Sequence, residues 1–309
     1  MSLSAGLGIA TSVQENSSEF WRWVRQCEEG GIDSLWQSDR IIGKNSHLEC
    51  LSTMAALAGA TTKIKFGMNI ASLGLRDAVI TAKACATIDF LSEGRLLPAF
   101  GIGSTLSQDY SASGTPTKGR GKRTNEALEI MSRLWAEEKV SFNGTYYQLD
   151  NASISPRPIQ KPLPLWVGGS SSQAIKRTAR WGTGWQAGIQ RPDEIEPVIK
   201  AIKEQSRALG RNIPNDHYGA GFTFRFGSTT DTIYREYKSF LQKQLGKSSD
   251  DLMISGDADD ILELLHKFSQ AGVRKFVLRP LATDNLDLKT QTDSFIKEIL
   301  PRLPKLIEE

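Results

Sequence analysis

Leu91-Ser92-Glu93-Gly94-Arg95, then Leu96-Leu97-Pro98-Ala99-Phe100, then Gly101-Ile102-Gly103-Ser104, is the stretch on which the fold turns. It reads as a helix end, a tight turn, a buried strand and a glycine loop. The run from Leu96 to Phe100 does not alternate apolar with polar side chains, so both faces of the strand are expected to be covered. Glycines just past the carboxyl end of such a strand let a ligand approach the backbone closely. In α/β proteins that end is where small molecules bind. A second strand finishes the same way: Pro164-Leu165-Trp166-Val167, then Gly168-Gly169-Ser170-Ser171-Ser172, then a helix from Gln173. Two glycine-tipped strands point to one site assembled from several strand ends.

Working outward, the pattern predicts strands over 3–10, 32–38, 63–72, 96–100, 165–167, 184–189, 218–226 and 275–278. Helices are expected over 19–29, 47–60, 77–91, 123–137, 173–181, 193–209, 258–270 and 293–307. Roughly eight strands alternating with eight helices favour an α/β (β/α)8 TIM barrel. A doubly wound open sheet is the alternative, because both folds bury parallel strands between helices. Three stretches interrupt the alternation. Residues of about 104–122 are polar and rich in Gly, Ser and Thr; about 138–163 read as a hairpin around Asn143-Gly144 followed by a proline-rich extended run; about 228–256 read as helical. They are expected to be insertions in a single barrel domain spanning 1–309.

Composition narrows the function classes. A chain of 309 residues suits one barrel of ~250 residues with insertions. Lys and Arg exceed Asp and Glu by only three, for a net charge of +3, and no basic run stands out, so no nucleic-acid partner is expected. No stretch approaches ~18 uninterrupted apolar residues, so no membrane partner is expected. Cys27, Cys50 and Cys85 fall in helical segments without a CxxC pair and read as free, buried thiols of a cytoplasmic protein. No metal site is expected, and with only His47, His217 and His266 in the chain, imidazole catalysis is not favoured.

Several segments together resemble one family. Asp33-Ser34-Leu35-Trp36-Gln37-Ser38-Asp39 is similar to its second-strand motif, and Leu57 to Gly67 to its passage from helix to third strand. Ala86-Thr87-Ile88-Asp89-Phe90-Leu91-Ser92-Glu93-Gly94-Arg95 is similar to its most recognisable signature. Gly144 with Tyr147, Pro156-Arg157-Pro158, Pro162-Leu163-Pro164 and Gly182-Thr183-Gly184-Trp185 complete the likeness. The family is the bacterial luciferase-like superfamily of flavin monooxygenases and deazaflavin-dependent oxidoreductases.

The resemblance implies a luciferase-like barrel with an isoalloxazine-type cofactor at the carboxyl ends of the strands. That cofactor is reduced FMN, used with O2 on a small organic substrate and supplied by a separate flavin reductase, or coenzyme F420, used for hydride transfer. The monooxygenase is the main expectation, an F420-dependent reductase or dehydrogenase the alternative, and a non-catalytic flavin-binding protein a third reading. A homodimer is also implied. The implied cofactor-binding residues are Asp39, Asn69, Ile70, Gly103, Ser104, Gly168, Gly169, Ser170 and Ser171. In the family the Asn69-Ile70 position often holds a non-prolyl cis peptide, and the glycine-serine loop from Gly168 meets the cofactor phosphate or ribityl chain. The physics of a glycine loop opening a helix agrees, since free N–H groups and the positive dipole end favour anions. A serine cap with a glycine turn is the plainer reading of the same letters. Many family members follow Asp39 with His, whereas Arg40 stands here. Arg40, Arg225 and Arg279 are candidate substrate-binding cations, with ion pairing to a nearby acid as the competing account. Trp166, Trp185, Phe222 and Phe224 read as core or pocket lining. No residue is assigned a catalytic role.

Overall fold

A computed structural model of the chain describes residues 3–104, 107–246 and 248–307. In chain order, β1 (Ser4–Gly8), α1 (Ser17–Glu29), β2 (Ser34–Gln37), α2 (Cys50–Ala60), β3 (Lys65–Met68) and β4 (Ala71–Ser72) come first. They are followed by α3 (Ala78–Leu91), β5 (Leu96–Leu97), β6 (Ala99–Gly101), α4 (Asp109–Ala112) and α5 (Arg120–Ala136). Next are β7 (Val140–Asn143), β8 (Gln148–Ala152), β9 (Trp166–Gly168), α6 (Ser172–Trp181), β10 (Gly184–Gln186) and α7 (Pro192–Ala208). The chain closes with β11 (Tyr218–Ala220), β12 (Thr223–Phe226), α8 (Thr232–Leu245), β13 (Met253–Gly256), α9 (Ala258–Gln270), β14 (Lys275–Pro280) and α10 (Asn285–Ser294). Two compact units emerge, one of residues up to Trp36 together with those from Ala187 onward, the other Gln37–Gln186.

In the first unit β1 lies parallel between β2 and β14, and β14 also carries β11 and β12. Leu7, Leu35, Phe224, Phe268, Phe276 and Phe295 fill its interior. The expectation of a purely helical 228–256 is corrected: α8 is followed by β13, which pairs in parallel with β12 from Thr223↔Met253 to Phe226↔Gly256. Met253-Ile254-Ser255-Gly256 is too short to show a period of its own. The expected strand 218–226 splits at Gly221, where a Cβ would stand 1.7 Å from the Val277 carbonyl oxygen. The closing helix begins earlier than expected, at Asn285, capped by the Asp284 side chain on the amides of Leu286 and Asp287. It then widens into a π turn over Phe295–Ile299 and tightens into 3-10 form over Leu300–Ile307, which holds Pro301 and Pro304.

In the second unit β3 pairs with β5, and β4, β6, β9 and β10 pair in sequence, all in parallel. The expected strand 63–72 is interrupted at a cis Asn69–Ile70 peptide, and the expected strand 96–100 at Pro98, which has no N–H for a ladder bond. The helix expected from His47 starts instead at Cys50, with Glu49 as its cap on the Ser52 amide. The 138–163 stretch forms the hairpin β7–β8, and the Glu126 carboxylate on α5 fastens its tip by accepting the amides of Thr145, Tyr146 and Tyr147.

The polar letters of the signature 86–95 are anchors. Asp89 is fully buried and accepts the amides of Ile159 and Gln160 and the Gln160 side-chain amide, fixing the proline-rich run after the hairpin. Arg95 donates to the carbonyls of Ala58, Thr61 and Ile64 and to the Thr61 hydroxyl, tying the end of α2 to the start of β5. Glu93 and Gly94 turn the chain between them at φ 56 and 83. No helix among the described residues is long and apolar enough to cross a membrane.

Candidate functional site

Three strand ends of the Gln37–Gln186 unit share one side chain. Ile70, just after the cis peptide, reaches across to Gly101 at the end of β6 and Gly168 at the end of β9. Its Cδ1 lies 2.5 Å from where a Cβ on Gly101 would stand and 2.1 Å from where one on Gly168 would stand. The two glycines therefore make room for Ile70, and the three together form an apolar floor. Gly103 follows at φ 71, with the Ser72 hydroxyl and the Tyr110 ring each 3.0 Å from the position of a Cβ. The Tyr110 phenol donates to the Ile102 carbonyl and holds this loop down. Ser104 continues it, exposed.

Beside the floor lies a cavity of about 270 Å³, lined by Gly101, Gly168, Ser170, Ser171, Thr124 and Arg177 among others. Gly169 turns into it at φ 101, its carbonyl held by the Trp185 indole N–H at 2.8 Å. Ser171 caps α6, its hydroxyl accepting the Ala174 amide at 3.2 Å, so the plainer reading of that serine is realised. Thr124 on α5 is 1% exposed and its hydroxyl has no partner. Arg177 on α6 is 7% exposed; it donates to the Asn125 side chain at 2.6 Å and the Gly121 carbonyl at 3.2 Å. No carboxylate among the described residues pairs with it, and burial pulls its pKa below the ordinary arginine value. A buried cation without a counter-charge, an idle hydroxyl and a helix N-terminus converge on this cavity, and together they fit an anionic group. Gln186, in register with Gly168 on the neighbouring strand, has a buried side-chain oxygen without a partner, though it does not line the cavity. The sequence reading missed Thr124, Arg177 and Gln186, because on helices and strand interiors their letters look like surface or core positions.

Asp39 acts through others. Its carboxylate takes both Arg76 Nη atoms at 2.7 Å and the Ser72 amide at 2.7 Å, and its side chain is 3% exposed. It thus fixes β4 beside the floor and has little left to offer a ligand. Arg76 also reaches Glu49 at 3.1 Å; although burial opposes its charge, the Asp39 bonds push its pKa well above the ordinary arginine value. Arg40 is exposed, and the loop that carries it is pinned by Asp109, which accepts the amides of Ile41 and Ile42. His47 lies outside α2 and places Nε2 3.1 Å from the Ser38 hydroxyl at the end of β2, with Nδ1 buried and unpartnered. The imidazole that the sequence reading set aside thus sits at a strand end. Trp166 and Trp185 are core.

In the other unit, Arg225 shows the ion pairing given above as the competing account. Its Nε meets Asp231 at 3.0 Å and its Nη1 meets Asp287 at 2.7 Å, so its charge is spent. Arg279 is exposed and donates to the Tyr237 phenol at 3.2 Å, with no carboxylate among the described residues paired to it. Phe222 and Phe224 are core.

Comparison with known proteins adds to this geometry. A family model described as luciferase-like monooxygenase matches residues 1–270. An uncharacterized protein of Mycobacterium tuberculosis is 32% identical over 168 residues, and the match spans 57% of that protein's length and 54% of this chain. An F420-dependent glucose-6-phosphate dehydrogenase of Amycolatopsis mediterranei is 24% identical, over 96% of this chain and 98% of its own. Among solved structures, an F420-dependent secondary alcohol dehydrogenase superposes with a TM-score of 0.82 at 21% identity, covering 97% of this chain and 98% of that one. The monooxygenase RslO1 of Streptomyces bottropensis superposes with a TM-score of 0.83 at 16% identity, covering 97% and 99%. These likenesses show the fold, the (β/α)8 TIM barrel of luciferase-like proteins.

Proposed function

The chain belongs to the luciferase-like monooxygenase family of oxidoreductases, and from that premise we propose that it is a deazaflavin-dependent enzyme moving a hydride between coenzyme F420 and a small organic substrate. The observation that carries cofactor binding is the joining of the Ile70 floor to the Arg177 and Thr124 cavity, an apolar surface beside a buried cation with no carboxylate paired to it among the described residues. That shape suits a planar ring with an anionic tail. F420 is preferred to FMN because relatives that match along nearly their whole length bear that cofactor in their names. Bound deazaflavin supplies a ring carbon that takes up or gives a hydride. The chain would do the rest: Ile70 and the glycines would orient the ring, and Arg177 with the α6 amides would hold the tail. Sugar-phosphate chemistry is not carried over from the named relatives, because Arg40 replaces the His that many of the family place after this Asp.

A second reading, reduced FMN with O2 and a separate reductase, is favoured by the likeness to monooxygenases such as RslO1. Equilibrium binding of oxidised and reduced F420 and FMN, followed by fluorescence quenching, separates the two. Tighter F420 binding, with F420 reduced under anaerobic conditions in the presence of a substrate alcohol, is expected. Preference for reduced FMN with O2 uptake overturns the proposal in favour of the second reading. Binding of neither removes both.

A further inference from the structure

A second concentration of unpaired cations lies at the amino-terminal ends of β11 and β14. Lys203, Ser206 and Arg207 are spaced i, i+3, i+4 and share one face of α7. The Lys203 ammonium stands 5.1 Å from the ring centroid of Tyr218, the residue that opens β11. Arg274, immediately before β14, donates its backbone N–H to the Tyr218 carbonyl at 3.0 Å. Its Nη1 turns to the carbonyls of Ser269 at 2.6 Å and Val273 at 2.8 Å, while its Nε is buried without a partner. The Tyr218 phenol, in a residue 0% exposed, and the Ser206 hydroxyl, in a residue 1% exposed, are also buried and idle. Among the described residues no carboxylate pairs with Lys203, Arg207 or Arg274.

The pKa directions agree with that geometry. The Lys203 pKa is lowered by burial first and then by the fields of Arg207 and Arg274. Burial pushes the Tyr218 phenol up to about 12, against the pull of Arg207. Two ordinary explanations fall short. A cation in the last turn of a helix complements its dipole, which accounts for Arg207 but not for Arg274, which is off the helix. The amino-terminal ends of barrel strands commonly serve stability, but a cluster built for stability would set acids between its cations. Here Lys203 lies in the fields of Arg207 and Arg274 beside hydroxyls left without partners, and each of those costs is relieved by one and the same kind of guest.

We propose that this cluster is a binding site for an oxyanion of the phosphate class. Lys203, Arg207 and Arg274 supply its charge, and the Tyr218 and Ser206 hydroxyls donate to its oxygens. Phosphate has several acceptor oxygens and suits guanidinium geometry. The source is either free inorganic phosphate or the phosphomonoester end of a metabolite. The site stands apart from the cofactor reading and does not depend on it.

Calorimetric titration of the full chain with inorganic phosphate and with glycerol phosphate, at ionic strength held constant with chloride, tests the proposal. An R177Q background silences the cavity beside the glycine floor. Saturable binding of either ligand in that background is expected; binding of both identifies a phosphomonoester end, and binding of inorganic phosphate alone identifies the free ion. Adding Arg207→Gln or Lys203→Gln, both on the surface of α7, should weaken binding by about tenfold each, the effect of one charge-assisted hydrogen bond. Adding Tyr218→Phe should weaken it less, and adding Arg279→Gln should leave it unchanged. Absence of saturable binding overturns the proposal, as does affinity unaltered by Arg207→Gln and Lys203→Gln, or binding lost with Arg279→Gln instead.

Discussion

Ile70 shows how one side chain can decide the shape of a surface. Its terminal methyl fills the space that Cβ atoms on Gly101 and Gly168 would need. Gly168→Ala should therefore leave the backbone in place and drive Ile70 upward, where a ring is expected to lie. The predicted result is a loss of cofactor affinity of about tenfold, within the range of coupling between touching residues. Pairing it with Ile70→Ala should restore most of that loss. A double-mutant cycle on the F420 dissociation constant checks this; additive effects would mean that the two residues do not meet. The glycines were legible as strand-end glycines, because their position after an apolar run is a local pattern. Their reason was not, since it lies in a side chain from another strand.

At the scale of elements, α6 carries two jobs in its first turns. Ser171 closes the helix through the Ala174 amide, while its own residue and Arg177, two turns on, line the cavity. Ser171→Ala should cost about 1 kcal/mol of stability, as loss of a cap does. Cofactor affinity should change little, because that hydroxyl already has its bond. Urea unfolding and a binding titration on the same variant measure the two separately, and a large loss of affinity would return Ser171 to the binding set. The same scale explains what could be read from letters. Alternation of β-type and helical patterns placed nearly every strand and helix, because burial on two faces or one stripe is written into consecutive residues. Breaks were not legible at Gly221 or at Asn69–Ile70, where the cause is a neighbouring strand or a backbone geometry without a letter of its own. Strand β13 was hidden by its brevity, and Thr124 and Arg177 by lying inside helices whose other residues set the pattern. Arg225 was legible as a cation near strand ends, but its partners Asp231 and Asp287 come from later segments.

Across the whole molecule, the three cysteines behave as one group. Cys27, Cys50 and Cys85 are all buried and free. Desolvation raises the pKa of each, that of Cys85 to about 12 from 9.0. A thiol reagent at mildly alkaline pH should leave the native chain unlabelled and react with three groups once it is unfolded. The sign of the pH effect follows. Between 9.0 and about 12 the unfolded chain releases thiol protons that the folded chain retains, so stability falls as pH rises through that window. Each thiol contributes up to about 1.4 kcal/mol per pH unit. Denaturant unfolding at several pH values, compared with Cys85→Ala, should show a shallower decline in the variant; equal slopes would mean that Cys85 is not protected.

Asp89 and Arg95 each bind backbone atoms of distant loops, and neither touches the cavity. The letters that make this chain recognisable are thus its joinery. Lineages that share them inherit a common chassis, and selection can exchange the chemistry carried on it by changing Thr124, Arg177 or the loop around Arg40 without disturbing a single joint. Kinship written in the 86–95 signature therefore speaks for the scaffold and not for the residues that line the cavity.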